Sequence, residues 1–285
     1  MGLDKKKFIT RATSAVLFVL VMLAAIIYNS WSFLFLFAIV QFVALREYIF
    51  LLENIYKHTF AGKDKFALLV GGFCAYTFLA MLPLKECAFT YSLFQMPPLF
   101  YFLGILLGML LLLAISKDKK AKMLITGIGY VVIPLALLHH LRLQSLMIPL
   151  FLIFSIWIND TMAYIGGSFF GKTPLAIKIS PNKTREGTAI GILVAILFAF
   201  VWSTQFPQFE FIDYLMLAII GSAIGTLGDL VESQIKRWAG VKDSGQIMPG
   251  HGGALDRFDS LIFAASFAFI YAFFFMDCQP WEFFK

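Results

Sequence analysis

Asp229, Glu232 and Lys236 occupy positions i, i+3 and i+7, which places them on one face of a helix. Gly225 and Gly228 thin the same apolar stretch. Asp256 and Asp259 follow at i and i+3, where the last apolar run begins, so their side chains can converge too. Carboxylates gathered in this way repel one another unless a cation stands between them. An all-oxygen site suits Mg²⁺, which takes a few carboxylates, keeps waters and binds substrate phosphates. A solvated loop with carboxylates favoured by a helix N-terminus would account for Asp256 and Asp259. It does not account for Asp229, which is embedded in apolar sequence. Zinc is not expected, because His251 stands alone with no Cys near it.

Two further polar clusters lie upstream. In "WINDTMAYIGGSFFGKT", Asn159 and Asp160 interrupt an apolar run, and Tyr164 falls one turn after Asp160 on the same face. Gly166 to Thr173 matches the G-x-x-x-x-G-K-T phosphate-loop pattern, which requires a strand before it and a helix after it. Here the pattern follows an apolar helix, carries two Phe and meets Pro174 at once, so no phosphate loop is expected. What survives is a glycine-lined backbone that a ligand can approach, with Lys172 as a cation; a helix end with a snorkelling Lys accounts for the same residues. In "SPNKTREGTAIG", Ser180 and Pro181 suit a helix start, and Thr184 can cap the segment that Glu186 enters. Lys183 and Arg185 beside free backbone N–H groups make an anion site, and both readings stand on this stretch alone.

The elements that must position these residues are membrane helices. The chain of 285 residues is 60% hydrophobic and only 14% charged, where a soluble domain has about 25% charged residues. Nine apolar segments are expected, near 12–29, 31–52, 67–84, 99–115, 123–138, 146–170, 188–205, 212–232 and 260–276. The fold class is therefore an all-α polytopic membrane protein with a polar cavity on the cytoplasmic side. Residues 1–145 supply about five spans and 146–285 about four, the second group carrying the site, in one integrated unit. The first run follows Lys5, Lys6, Lys7 and Arg11 but lacks a small-residue cleavage site, so it reads as a retained span. Regions between spans alternate in Lys and Arg content, and 20 of the 23 fall on one side. Cytoplasmic loops retain such an excess. The N-terminus and the loops holding the polar clusters are thus expected inside, and Lys285 outside. Gly104-x-x-x-Gly108 suits close helix packing, and a homodimer contact there is one reading. The three Cys and the pair His139 and His140 are assigned no role.

Acidic pockets beside Lys and Arg at a membrane edge suggest metal-assisted transfer of a phosphoryl or nucleotidyl group involving a lipid. A secondary transporter is the first alternative, but it would hold its polar residues near the bilayer midplane. Another lipid-phosphate transferase, such as a polyprenol kinase, is the second. A membrane prenyltransferase would need paired D-D-x-x-D motifs, of which Asp256-x-x-Asp259 is one fragment.

The run "SQIKRWAGVKDSGQIMPGHGGALDRFD", Ser233 to Asp259, closely resembles the signature of CDP-diacylglycerol synthases, the phosphatidate cytidylyltransferases. Ser233, Lys236, Arg237, Lys242, Asp243, Gly245, Pro249, His251, Gly252, Gly253, Asp256, Arg257 and Asp259 all match it. "SPNKTREG" and "NDTMAYIGGSFFGK" resemble two further family motifs. Residues 155–260 carry the resemblance, and the first half shares only its hydropathy. Asn182, Met248 and Ala254 depart from the residues common in the family.

The resemblance implies that CTP and phosphatidic acid give CDP-diacylglycerol and pyrophosphate with Mg²⁺, in the cytoplasmic (inner) membrane and with no nucleic-acid partner. Fitted to these residues, the metal ligands are Asp229 and Asp256, with Asp259 and Asp160 next, around one cation or a pair. Lys183, Lys236 and Arg237 complete the expected catalytic set with the two leading carboxylates. Ser180, Thr184, Arg185, Glu186, Tyr164, Lys172, Lys242, Asp243, His251, Gly252, Gly253 and Arg257 are expected around the substrates.

Overall fold

The computed structural model describes residues 5–82, 118–246 and 252–276. Its elements follow the apolar sequence, because in hydrocarbon a helix satisfies its own backbone polar groups. α1 is Lys5–Tyr28, α2 is Ser30–Tyr56 and α3 is Gly62–Met81. α4, Lys119–Gly127, runs through a π-helical turn at Ile128–Val132 into α5, Ile133–Gln144. α6 is Met147–Phe170. A hairpin of β1, Pro174–Ala176, and β2, Ser180–Thr184, leads to α7, Arg185–Gln205. α8, Phe211–Ile219, passes through a second π-helical turn at Ile220–Ile224 into α9, Gly225–Trp238. α10 is Leu255–Phe275.

Seven helices among the described residues are long and apolar enough to cross a membrane, taking Ala121–Gln144 and Phe211–Trp238 as continuous. Val16–Tyr28 adds a shorter apolar helix. This is an all-α integral membrane protein. The expected span at 99–115, with Gly104 and Gly108, lies outside the described residues, as do His251 and Lys285.

α5 and α10 run through the core. Leu135, Leu138 and Leu141 of α5 are fully buried, as are Ala264, Ala265, Ala268 and Ala272 of α10. Small residues on α10 let neighbouring helices approach closely, which favours packing where lipid removes the hydrophobic drive between helices. The last turn of α5 ties down three other helices. His140 Nε2 donates to Leu79 O (2.9 Å), Arg142 Nε to Ile26 O (2.9 Å), and Gln144 Nε2 to Ala272 O and Met276 O (3.2 Å each). These side chains add partners to carbonyls at helix C-termini, of which Leu79 O and Ala272 O also accept from Leu82 N and Met276 N. That gives His140 a structural duty.

α6 and α7 meet backbone to backbone. A Cβ on Gly187 would strike Ala163 O and the Gly167 backbone, and one on Gly191 would strike Asn159 O. This contact sets the end of α6, and hence Asp160, beside the hairpin that carries Lys183.

The expectation of a helix start at Ser180 is corrected: Ser180–Thr184 forms β2, paired antiparallel with β1. The helix begins only at Arg185, with Thr184 as its cap, whose Oγ1 accepts from Gly187 N at 3.2 Å. The hairpin partner satisfies the backbone groups that a helix would otherwise have to satisfy.

Candidate active site

α9 brings Asp229 and Glu232 to one face, as their spacing requires, and α10 brings Asp259 against them. One carboxylate oxygen from each lies within 4.8 Å of the other two. Glu232 is wholly buried, and neither of its oxygens has a hydrogen bond of good geometry. Its cation is Lys236, one turn on, with Nζ at 2.5 Å. Lys236 Nζ also donates to Asp256 Oδ1 at 2.6 Å. From the hairpin, Lys183 Nζ pairs with Asp229, which also accepts from Ser233 Oγ at 3.3 Å.

Two lysines therefore face four carboxylates. A buried carboxylate without a full set of donors is costly, and the Glu232 oxygens are in that position. The donors are all oxygen, the preference of Mg²⁺ and other hard cations. Asp229, Glu232 and Asp259 thus fit a divalent cation.

Asp256 stands apart from this group. Its Oδ2 accepts from Ser244 N, Ser244 Oγ and Gly253 N at 2.9, 2.9 and 2.8 Å, and its Oδ1 takes Lys236. Both oxygens thus hold protein donors, and Asp256 joins the two ends of the segment between α9 and α10. Glu232, which the sequence reading placed on the right helical face but not among the metal ligands, occupies the third position. The signal was present in the i, i+3 spacing from Asp229.

A second carboxylate reaches this segment from the other half of the chain. Glu47 of α2 is 6% exposed. Its oxygens accept from Ser244 Oγ (2.9 Å), Ala254 N (3.0 Å) and Leu255 N (2.8 Å). Sequence reasoning missed it.

The acidic group opens into a cavity of about 1060 Å³. Its lining includes the polar or glycine positions Asp160, Asp229, Lys236, Lys242, Asp243, Gly252, Asp256, Arg257 and Asp259. It also includes the apolar side chains Phe18, Val19 and Met22 of α1, Ile153, Ile156 and Trp157 of α6, and Phe258 and Leu261 of α10. Such a space can hold a phosphate-bearing head and a hydrocarbon tail together.

A model described as "Cytidylyltransferase family" matches residues 9–275. The chain belongs to that family. Among curated relatives of this cytidylyltransferase-family chain, a protein of Staphylococcus saprophyticus named phosphatidate cytidylyltransferase is 44% identical over 155 residues. That match covers 52% of this chain and 59% of the relative. Proteins of the same name from Haemophilus influenzae and Bacillus subtilis are 39% identical over 190 residues and 48% over 116. These cover 59% and 40% of this chain, and 66% and 43% of the relatives. Each match thus spans less than two thirds of the relative's length.

The remaining residues expected around the substrates divide by position. Lys242, Asp243, Gly252 and Arg257 line the cavity of this family member, whereas Tyr164 is 78% exposed and outside that lining. Glu186 accepts from the backbone N–H groups of Lys172 and Thr173 (3.1 Å each) and Arg185 N donates to Thr173 O (2.9 Å). These bonds hold the hairpin to α7. Arg237 Nε donates to Ile179 O at 3.2 Å, tying α9 to the same hairpin. Ser180 pairs with Ala176 across the strands, and Gly253 contributes its N–H to Asp256.

Proposed function

We propose that the chain is a phosphatidate cytidylyltransferase, converting CTP and phosphatidic acid to CDP-diacylglycerol and pyrophosphate. The observation that carries this reading is the acidic group set in a cavity lined by both charged and apolar side chains. The names borne by the relatives supply the substrates. The phosphatidate phosphate has its second proton affinity near about pH 6, so it arrives largely deprotonated and needs no strong base. An oxygen of that phosphate bonds to the α-phosphorus of CTP, and the bond from that phosphorus to the bridging oxygen breaks. The electron pair leaves on pyrophosphate.

Asp229, Glu232 and Asp259 would hold Mg²⁺, with Asp160 the next carboxylate on the cavity wall. When bound, Mg²⁺ supplies charge neutralisation at the phosphates. Lys236 and Lys183 have ammonium groups already among the carboxylates, and turn to phosphate oxygens as substrate enters. Lys242 and Arg257 stand on the cavity wall, where they can bind the outgoing pyrophosphate. Ser180, Thr184, Arg185, Arg237, Glu186, Tyr164 and Lys172 act outside that wall, holding the hairpin or meeting lipid headgroups. The apolar residues of α1, α6 and α10 exclude water beside the glycerol backbone. Residues 1–145 and 146–285 work as one unit, with the nucleotide reaching the site from the cytoplasm of a bacterial inner membrane.

The test uses purified protein in detergent with labelled CTP and phosphatidate, with and without Mg²⁺. The expected products are CDP-diacylglycerol and pyrophosphate, formed only with the metal. Consumption of ATP in place of CTP would assign a lipid kinase instead, and solute flux in liposomes without CTP turnover would assign a transporter.

A further inference from the structure

We propose that Glu47 is a positioning residue for this site: it caps α10, the helix that carries Asp256 and Asp259, from α2 and ties its start to Ser244. The inference rests on the reading of the site given above. Three hydrogen bonds carry it, from Ser244 Oγ, Ala254 N and Leu255 N, across 197, 207 and 208 residues of sequence. Ala254 and Leu255 open α10, whose first backbone N–H groups have no intrahelical partner. Helix starts are normally capped by a neighbouring side chain in the chain itself. α10 has no such cap: no side chain of Ala254 can serve. The buried carboxylate of a distant helix does the work, and the helix dipole favours its charge there.

The fit leaves little freedom. A Cβ at Gly245 or at Gly253 would meet the Glu47 carboxylate. Glycine at both positions is what lets the backbone close around it. The backbone and Ser244 supply donors to both of its oxygens. Glu47 does not line the cavity, so it acts through what it holds.

Ser244 links Glu47 to the site. Its hydroxyl lies 2.9 Å from Glu47 Oε2 and 2.9 Å from Asp256 Oδ2. One hydroxyl has one proton, so it donates to one carboxylate at a time. Asp256 in turn holds Lys236, which holds Glu232. The chain Glu47, Ser244, Asp256, Lys236, Glu232 thus runs from α2 to the metal-fitting group. Outer-shell partners of metal ligands commonly change metal affinity or activity by about 10–100-fold when removed.

The test compares Glu47→Gln, Glu47→Ala and Glu47→Asp with the wild type in detergent. Gln has one acceptor where Glu has two, so an amide NH₂ must face a backbone N–H donor. Mn²⁺ binding is read by electron paramagnetic resonance without substrates, and turnover is read against Mg²⁺, CTP and phosphatidate. Thermal unfolding is followed in parallel. Leu45→Ala, a core truncation on the same helix where the side chain packs against Gly72 and Gly127, controls for stability loss. The expected result for Glu47→Gln is Mn²⁺ affinity and half-saturating Mg²⁺ weakened about 10–100-fold. KM for phosphatidate should stay near the wild-type value, with partial rescue in Glu47→Asp. The proposal is overturned if Glu47→Gln binds Mn²⁺ as the wild type does. It is also overturned if Leu45→Ala, at equal loss of stability, shows the same weakening. A wild type that binds Mn²⁺ but makes no CDP-diacylglycerol would sink the functional reading and leave the Glu47 comparison standing on Mn²⁺ alone.

Discussion

At the scale of single residues, Lys236 is the cation on which two carboxylates depend. Its side chain is 11% exposed, and its partners Glu232 and Asp256 are 0% and 9% exposed. Removing one member of a buried ion pair costs about 3–5 kcal/mol, because the partner keeps its charge without compensation. Lys236→Met should therefore unfold at lower temperature than the wild type and lose turnover by about 10–100-fold. Mg²⁺ should offset part of the stability loss, since a ligand bound only by the folded state stabilises it by about 2.7 kcal/mol at 100 times its Kd. Melting curves in Mg²⁺ and in chelator check this. If added Mg²⁺ shifts neither protein, Asp229, Glu232 and Asp259 do not hold a cation. Much of this site was legible in the sequence. An Asp or Glu inside an apolar run stands out, and the period of a helix places Asp229, Glu232 and Lys236 together. Glu47 was not legible. It follows Arg46 near the end of an apolar run, where a charged pair reads as the water-facing edge of a span. Its partners are backbone N–H groups some 200 residues away, and backbone donors leave no mark in a sequence pattern.

At the scale of elements, the contact between α6 and α7 holds Asp160 and the Lys183 hairpin in register. Gly187 and Gly191 allow it, because a side chain at either would strike the α6 backbone. Gly187→Leu should separate the two helices, since backbone atoms cannot retreat as a flexible side chain can. Overpacking of this kind costs about 1–3 kcal/mol, so the melting temperature should fall. Turnover should fall further than stability alone explains, because Lys183 moves with β2. Leu193→Ala on the outward face of α7, where Leu193 is 57% exposed, should alter neither. Equal effects of the two changes would show that helix separation is not the cause. The helices themselves were readable from hydropathy, and Thr184 as the cap of α7 was readable from its side-chain chemistry. The hairpin was not: Ser-Pro before a basic stretch suits a helix start as well as a strand, and only the partner strand at Pro174–Ala176 decides between them. The two π-helical turns, at Ile128–Val132 and Ile220–Ile224, were also unreadable. Each adds one residue to a turn, and an apolar run looks the same with it or without it.

At the scale of the whole molecule, the distribution of charge orients the site. Lys and Arg collect between, and at the facing ends of, α6 and α7 and of α9 and α10, and near the N-terminus. Lys183 of β2, Lys242, and Arg257 at the start of α10 are among them, so cations proposed for the site also count toward the topogenic excess. Retention of positive loops inside is the expectation that puts this charge, and the cavity beside it, on the cytoplasmic face. Lys178, exposed between the hairpin strands, tests the arrangement. In a variant with Cys74, Cys87 and Cys278 replaced by Ser, Lys178→Cys should react with a membrane-impermeant maleimide in inside-out vesicles and be silent in right-side-out cells. A fluorescent protein fused after Lys285 should stay dark, and a phosphatase at the same point should be active, as the expected nine spans with the N-terminus inside require. Labelling of Lys178→Cys from outside would invert the molecule. It would place the site away from its nucleotide and remove the physical basis for a CTP-dependent reaction at this membrane face.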